Sequence, residues 1–221
     1  MFALLLTALV ALVPGERLDY DVRLGPVSVG SLELAALGPD SIRGQSCLHL
    51  RGTLELSLRF VFRGRYVLDS RARADDFVTL RSGKTTEETR YRARWTADYL
   101  YRDSVVVYSD GDTFALPGEA RDLLTTWYYL RSPGIAVGDT LRFHVHSDRR
   151  NQDVTIVARD TLTVETAAGR FRTMELAQQG SGLIGRMFVS DDERRLPVLI
   201  RTSISGMPLT AQLRSINAGG R

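Results

Sequence analysis

The chain has 221 residues, of which 43% are hydrophobic and 25% charged, so it is long and apolar enough to bury the core of a globular domain. Its formal net charge of +3 gives no overall attraction to nucleic acid, and we expect no nucleic-acid partner. The single cysteine, Cys47, excludes an intramolecular disulfide and a cysteine-rich metal site.

The N-terminus contains an apolar run at residues 3–13 that ends at Pro14-Gly15. A bilayer span needs about 20 apolar residues, so this run is too short for a stable transmembrane anchor. Its length is that of a signal-peptide core, although a basic leading region and a clear cleavage site are missing. We therefore predict a signal-peptide-like segment at 1–15, export to the periplasm or cell envelope, and a single domain at 16–221. A buried N-terminal strand is the alternative.

Alternation of apolar and polar residues dominates the rest of the chain, as in LHLRGTLELSLRFVFRGRYVL at 48–68. This pattern is typical of antiparallel strands with one buried and one solvated face. The segment is too long for one strand, so Gly52 and Gly64 are predicted to mark a bulge, bend or turn. Further alternating runs, with a break at Arg159-Asp160 among others, predict about ten strands and no dividing linker.

Two rows of arginines lie on the polar faces of predicted strands. If those strands are neighbours, their solvated faces form one basic face able to bind anionic headgroups or acidic glycans. A solubilising surface that protects against edge pairing is the alternative. The rows are Arg59, Arg63 and Arg65, and Arg90, Arg92 and Arg94.

The stretch DLLTTWYYLRSPG at 122–134 is the one convincing helical pattern in the sequence. Leu123, Trp127 and Leu130 recur at i, i+4 and i+7, which places them on one side of a helix. Proline and glycine precede and follow the pattern, so we predict a helix at about 119–132.

The charges of this segment suit a helix dipole, with Glu119 and Asp122 in the predicted first turn and Arg131 in the last. Threonines and tyrosines weaken its intrinsic propensity, so packing must hold it in place. We predict a mainly β fold, in which a single antiparallel, strongly curved sheet or partly open barrel packs this helix against its concave face. The predicted ligand contacts are Leu123, Leu124, Trp127, Tyr128, Tyr129 and Arg131.

Five segments in order along the chain resemble the bacterial domain-of-unknown-function family 3108. Their order and spacing, more than any one of them, carry the resemblance. It implies an exported, β-rich protein and supplies no established activity or catalytic residues. Curved sheets around a helix also occur in envelope carriers of lipids and lipoproteins, an analogy of fold alone. The segments are LDYDVRLGPVSVGSLEL, DLLTTWYYLR, VETAAGRF, VSDDERRLPVLI and GMPLTAQL.

The segment GSGLIGR at 180–186 spells G-x-G-x-x-G. A dinucleotide site needs this motif between a strand and a helix, whereas here the strand-like MFVS follows. We interpret it as a hairpin loop. The acidic turn at 191–193 lacks the spacing of an EF-hand and is interpreted as solvated.

The histidines are weak candidates for a metal site. His144 and His146 are predicted on the solvated face of a strand, where a metal ion would need a third ligand such as His49. Nothing in the sequence places His49 nearby, so we predict no metal site. Cys47 is interpreted as a structural thiol. No G-x-S-x-G, H-E-x-x-H or P-loop motif occurs, and we predict no catalytic residue and no cofactor.

These observations predict a non-enzymatic, exported protein that binds an apolar or lipid-like ligand against the helix, with a lipid or an envelope protein as the expected partner. The prediction fails if the helix fills the concavity completely. An envelope scaffold that uses the basic face or an edge strand is the alternative. An enzyme acting on envelope polymers would need two titratable groups converging in one cleft.

Overall fold

A computed structural model describes residues 12–58, 62–180, 182, 184–204 and 206–219 of the chain. Within these residues it forms fifteen strands and one helix. The bounds are β1 Arg17–Leu24, β2 Val27–Ile42, β3 Gln45–Leu58, β4 Phe62–Ala72, β5 Thr79–Glu88, β6 Arg92–Leu100, β7 Val105–Tyr108, β8 Thr113–Ala115, β9 Ala120–Arg121, α1 Leu123–Tyr129, β10 Thr140–Ser147, β11 Arg150–Thr166, β12 Gly169–Gln178, β13 Arg186–Ser190, β14 Pro197–Ile204 and β15 Met207–Asn217.

All of the described strands belong to one sheet, in the order β8-β7-β6-β5-β4-β3-β2-β1-β15-β14-β13-β12-β11-β10-β9. Chain neighbours pair in antiparallel hairpins, and β1 joins the two halves by pairing with β15. Only β9 is parallel to its neighbour, β10. The sheet has two free ends, at β8 and β9, so its ladder does not close into a barrel. The predicted single, mainly antiparallel sheet around one helix is confirmed.

Two predicted breaks were wrong. Gly52 and Gly64 lie inside β3 and β4, where they pair with Leu68 and Leu56 in unbroken register. The alternating segment therefore divides between Leu58 and Phe62. The predicted break at 159–160 is a shift in register within β11, a bulge that bends the strand without reversing it. More strands result than the predicted ten because both ends of the sheet carry short strands of two to four residues.

The main core lies on the inner face of the sheet and includes the fully buried Leu18, Tyr20 and Leu50 together with Leu124 of α1. At β13 and β14 the outer face is buried as well, since successive residues along both strands are inaccessible to solvent. The side-chain amide of Gln212 on β15 donates to the carbonyl of Glu165 at 3.5 Å, which places the far end of β11 over this outer face.

The two ends of the sheet meet through side chains. Tyr99 on β6 donates through its hydroxyl to the carbonyl of His146 on β10 at 2.8 Å, and the hydroxyl of Tyr108 lies 3.0 Å from His146 Nε2. Asn151 on β11 donates to the carbonyl of Ala115 on β8 at 2.7 Å. We call this contact the seam. It closes the curved sheet around α1 without a backbone ladder.

The helix is shorter than the predicted 119–132, because residues before and after it have other partners. Ala120 and Arg121 form β9 and pair with β10. Glu119 therefore lies outside the helix, where its carboxylate contacts Arg73 at 2.6 Å. At the other end Leu130 caps the helix, and Arg131 follows it in a buried ion pair.

Candidate ligand pocket

The start of α1 is held by a buried polar cluster around Asp122. Its carboxylate accepts hydrogen bonds from the Thr125 backbone at 2.8 Å and from the Ser70 hydroxyl at 2.6 Å. Its own backbone N–H donates to the hydroxyls of Thr125 and Thr79, each at 2.9 Å. Burial raises the pKa of Asp122, and these hydrogen bonds oppose the rise. The capping box thus ties α1 to β4 and β5.

The underside of α1 rests on a glycine in the sheet. A Cβ atom added to Gly52 would lie 3.3 Å from Leu124 Cδ1, which is tighter than most such contacts, and 3.5 Å from Leu34 Cδ2, an ordinary contact. The missing side chain lets Leu124 sit directly on β3. This contact fixes how close the helix lies to the inner face.

Beside this contact, α1 leaves part of the concavity unfilled. A cavity of about 160 Å³ lies between the helix and the inner face of the sheet. Its wall is almost wholly apolar, and an apolar cavity of similar size is large enough for a benzene-sized group. The lining residues are Val22, Leu32, Gly52, Leu54, Tyr66, Leu68, Lys84, Leu123, Trp127, Ser147, Asp148, Ile200, Thr202, Leu209 and Ala211.

The charged groups that line this pocket form one ion pair. The ammonium of Lys84 on β5 contacts both carboxylate oxygens of Asp148 at 2.8 Å. Lys84 pairs with Leu68 and Trp95 in the sheet register, so it belongs to the inner face. Asp148 lies in the turn between β10 and β11. The pair therefore bridges the two halves of the sheet at the pocket.

The turn that carries Asp148 is itself held across the seam. Asp148 and Arg149 have φ angles of +47° and +66°, typical of a tight two-residue hairpin turn. The guanidinium of Arg149 contacts the carboxylates of Asp110 and Asp112 and lies 4.5 Å from the centre of the Tyr108 ring. The β10–β11 turn is thus docked on the β7–β8 turn.

The six predicted ligand contacts do not all face the pocket. Leu123 and Trp127 line it. Leu124 is completely buried on Gly52, and Tyr128 packs with its ring stacked on Phe77. The remaining two residues lie elsewhere: Tyr129 lies under the guanidinium of Arg121 at 3.7 Å, and Arg131 pairs with Glu16. Ligand contact stays a prediction, and the geometry favours it for Leu123 and Trp127.

Arg131 has a structural task at the far end of the helix. Its guanidinium donates to both carboxylate oxygens of Glu16, at 2.7 and 3.0 Å, and to the carbonyls of Arg194 and Arg195. Its side chain is 2% exposed and that of Glu16 is 9% exposed. Burial works against the charge of Arg131, but Glu16 outweighs it and raises the pKa of Arg131. This pair ties the end of α1 to β1 and to the β13–β14 turn.

The predicted basic face lies on the outer side of the sheet, away from the pocket. Arg59 falls outside the described residues, and the other arginines are exposed. The strands that carry the two rows are not neighbours, because β5 lies between β4 and β6. Acidic residues of β3 and β5 interrupt the surface: Glu55 contacts Arg65 at 3.3 Å, and Glu87 pairs with Arg65 and Arg92 in the register.

The three histidines have different surroundings in the structure. His146, predicted on a solvated face, is completely buried in the seam, because the outer side of β10 is covered by β6 and β7. Burial lowers the pKa of His146, while a hydrogen bond with Asn151 opposes this shift. His49 contacts Asp69 at 2.9 Å, and His144 contacts Asp153. Among the described residues no three His, Cys, Asp or Glu side chains are grouped to hold a metal ion.

Gly180, Gly182 and Gly185 of the glycine motif lie between the antiparallel strands β12 and β13, in agreement with the hairpin interpretation, and residues 181 and 183 fall outside the described residues. Gln178 organises this loop by accepting hydrogen bonds from the backbones of Ile184 and Gly185 at 3.1 and 3.3 Å. In the acidic turn, Asp192 accepts from the hydroxyl of Ser190 at 2.7 Å and pairs with Arg194. Both segments have structural partners and lie apart from the pocket lining.

Sequence reasoning missed the polar residues of the pocket. Lys84 is the only lysine in a sequence with 28 arginines, and this rarity could have drawn attention to it. Its segment RSGKTTEE has no clear alternation, so the sequence does not indicate which face of the sheet Lys84 occupies. Tyr66 lies on the apolar side of the alternation at 48–68, but alternation does not indicate that a cavity lies beside it. No sequence pattern singled out Asp148, and only the closure of the sheet brings it to Lys84.

A family model described as "Protein of unknown function (DUF3108)" matches residues 19–213. The chain belongs to this family. The resemblance found in the sequence is thereby confirmed over nearly the whole chain. The search of curated proteins gave no match. In the part of the chain that the structure describes, no helix is both long and apolar enough to span a membrane.

Solved structures of other uncharacterised domains are similar to this DUF3108 member. A β-barrel-like protein of the DUF1849 family from Brucella abortus aligns with a TM-score of 0.63 and 14% identity, covering 95% of this chain and 99% of that one. At such identity the similarity shows the fold alone. A DUF1089 family protein from Pseudomonas aeruginosa gives a TM-score of 0.46 at 13% identity, covering 78% and 89%. That second similarity is too low to carry an argument.

Proposed function

We propose that this DUF3108 member is an exported, non-enzymatic protein of the cell envelope that binds the apolar chain of a lipid-like molecule between α1 and the inner face of its sheet. The observation that carries the proposal is the apolar cavity of about 160 Å³ beside Leu123 and Trp127. The helix packs on the concave face without filling it. The ligand prediction would fail if the helix filled the concavity completely, and space remains beside it.

The size and lining of the cavity suit one hydrocarbon chain. Burying a methylene group contributes about 0.8 kcal/mol, so a segment of about six carbons contributes roughly 5 kcal/mol before the costs of association. The lining offers one ion pair and few hydroxyls to position a ligand. Binding of this kind requires an apolar wall and one polar anchor, and both are present.

Export is supported by the sequence of the N-terminal segment. The apolar run at 3–13 has the length of a signal-peptide core. Glu16, directly after Pro14-Gly15, makes the buried pair with Arg131. A mature chain that begins at about residue 16 keeps that contact. The proposal therefore includes removal of the first fifteen or so residues.

Native mass spectrometry of the exported protein, purified without detergent and followed by lipid extraction, tests the binding function. We expect a discrete added mass that extracts as lipid, on a chain lacking its first residues. Leu123→Gln places an amide at the pocket wall and should remove the added mass. Leu162→Gln is the matched control, because Leu162 is 41% exposed and lies outside the pocket lining. A bare mass for the wild-type chain, with no binding of added amphiphiles, would contradict the proposal.

The envelope scaffold is a second candidate because Arg63, Arg92 and Arg94 on the outer face are exposed, as is Arg90 between β5 and β6. Exposed guanidinium groups can bind phosphate or carboxylate groups in bidentate fashion. Pull-down from intact envelopes would return a stoichiometric partner, and glutamine at the four positions would lose it. Recovery of background proteins alone would count against this role.

A further inference from the structure

The ion pair beside the pocket consists of two very different residues. Lys84 stands on the inner face of β5, between Leu68 of β4 and Trp95 of β6 in the register, and its side chain is 26% exposed. Asp148 stands on a hairpin turn, and its side chain is 46% exposed. The positive charge thus belongs to the wall of the concavity, whereas the negative charge belongs to a surface turn that reaches over it.

The chemistry of Lys84 suits an anionic ligand headgroup. An ammonium is a compact charge on a flexible stem with three donors, and it can follow a headgroup as a chain moves in the pocket. Apart from the histidines, all other basic side chains in the sequence are arginines. The only lysine therefore lies beside the apolar cavity.

The contact with Asp148 places a carboxylate against Lys84 at the pocket. Both oxygens of this carboxylate lie 2.8 Å from Lys84 Nζ. A carboxylate beside the apolar wall is thus already accommodated in the fold. Exposed ion pairs contribute little to stability, so a ligand anion can replace Asp148 at Lys84 with little loss to the protein.

The same pair lines the pocket and connects the two halves of the sheet. Lys84 belongs to β5 and Asp148 to the β10–β11 turn, so separating them removes one attachment of that turn. The attachments of Arg149 stay in place: its guanidinium contacts Asp110 and Asp112, and its backbone N–H donates to the Tyr108 hydroxyl at 2.9 Å. Binding of a headgroup to Lys84 in place of Asp148 therefore removes one ion pair and keeps the contacts of Arg149 at the seam.

From this arrangement we infer that the ligand is a single-chain amphiphile with an anionic headgroup, a carboxylate or a phosphate, and that Lys84 binds this headgroup in place of Asp148. The inference rests on the proposed function, because it names the headgroup of the molecule whose chain fills the cavity. The cavity volume restricts the apolar part to one chain.

Four ten-carbon probes below their micelle concentrations test the inference by calorimetry: decanoate, decyl phosphate, 1-decanol and decyltrimethylammonium. The wild-type protein should bind at least one of the two anions about tenfold more tightly than the alcohol, and the cation most weakly. The stronger anion identifies the headgroup as carboxylate or phosphate.

Three variants locate the effect. Lys84→Met should reduce the preference for the anion over the alcohol to less than about twofold while the alcohol still binds, and Lys84→Arg should retain most of it. Asp148→Asn removes the competing carboxylate and should increase affinity for the anion severalfold. Urea unfolding of each variant confirms that it is folded.

The outcomes separate the two proposals. Equal binding of anion and alcohol by the wild-type protein, or an anion preference that survives in Lys84→Met, overturns the inference and leaves the apolar pocket in place. Failure of all four probes to bind contradicts the proposed function itself.

Discussion

Two ion pairs lie close to α1. Their distances are similar, but the exposure of their side chains to solvent differs. Glu16 and Arg131 are 2.7 Å apart with side chains 9% and 2% exposed, and Lys84 and Asp148 are 2.8 Å apart with side chains 26% and 46% exposed. A buried pair leaves an uncompensated charge when one partner is removed, whereas an exposed pair returns its charges to water. The first is therefore suited to hold the fold, and the second is suited to open.

The largest expected effect follows from Arg131→Ala, which leaves Glu16 buried and unpaired. We expect a loss of about 3–5 kcal/mol in the free energy of unfolding, measured by urea denaturation. The double variant Arg131→Met with Glu16→Leu removes both charges and should lose less than Arg131→Ala alone. A loss below about 1 kcal/mol for Arg131→Ala would remove the contrast between the two pairs.

Asp122→Ala should rank second, because it removes the cap of α1 and leaves the N–H of Thr125 and the hydroxyl of Ser70 without their acceptor. We expect a loss of about 1–2 kcal/mol in the free energy of unfolding. Asp122→Asn keeps an acceptor and should cost less, since burial already works against the charged carboxylate. Equal losses for the two variants would show that the charge, not the hydrogen bond, is what matters.

The seam should weaken in acid through His146. Burial lowers the pKa of His146 below its ordinary value of 6.5, so the unfolded chain binds the proton more readily than the folded one. The stabilisation is complete above pH 6.5 and is lost as the pH falls from there through the lowered pKa. One such group changes the free energy of unfolding by at most about 1.4 kcal/mol per pH unit.

Urea unfolding at pH 7.5 and 5.5 measures this effect. His146→Gln is compared with wild type, because both proteins contain the same carboxylates and the difference between them reports on His146. The variant should lose less stability on acidification than the wild-type chain. An unchanged pH dependence in His146→Gln would show that the seam does not sense acid through this residue.

The smallest stability effect should come from the exposed pair. Lys84→Met and Asp148→Asn should each change the free energy of unfolding by less than about 1 kcal/mol. Ligand affinity should change far more than stability in both variants. A loss of several kcal/mol in Lys84→Met would place this pair with Glu16–Arg131 as a structural element and would weaken its assignment to the ligand.

Local patterns were sufficient for the elements and insufficient for their limits. Alternation at 48–68 identified β3 and β4, because one face of each strand is buried on the core. The pattern at 122–134 identified α1, but its length depended on Arg121 pairing with β10 and on Arg131 reaching Glu16. Contacts between residues more than a hundred positions apart leave no local trace in a sequence.

Predicted faces were wrong where both faces of a strand are covered by other parts of the protein. His146 alternates with Val145 and was predicted to be solvated, yet both residues are buried, one in the seam and one in the main core. A prediction from alternation assumes that one face of the strand is solvated, and closure of the curved sheet covers that face at β10.

The sequence by itself determined the class of fold, the family and the helix that lies against the sheet, because periodicity and turn residues depend on near neighbours along the chain. The pocket and its mouth were decided by the tertiary structure. Gly52 sets how deeply α1 sits, and the cavity is the space that Leu123 and Trp127 leave beside that contact. Lys84 and Asp148 meet only because the sheet curves until its two ends touch, and curvature of that kind is a property of the whole sheet.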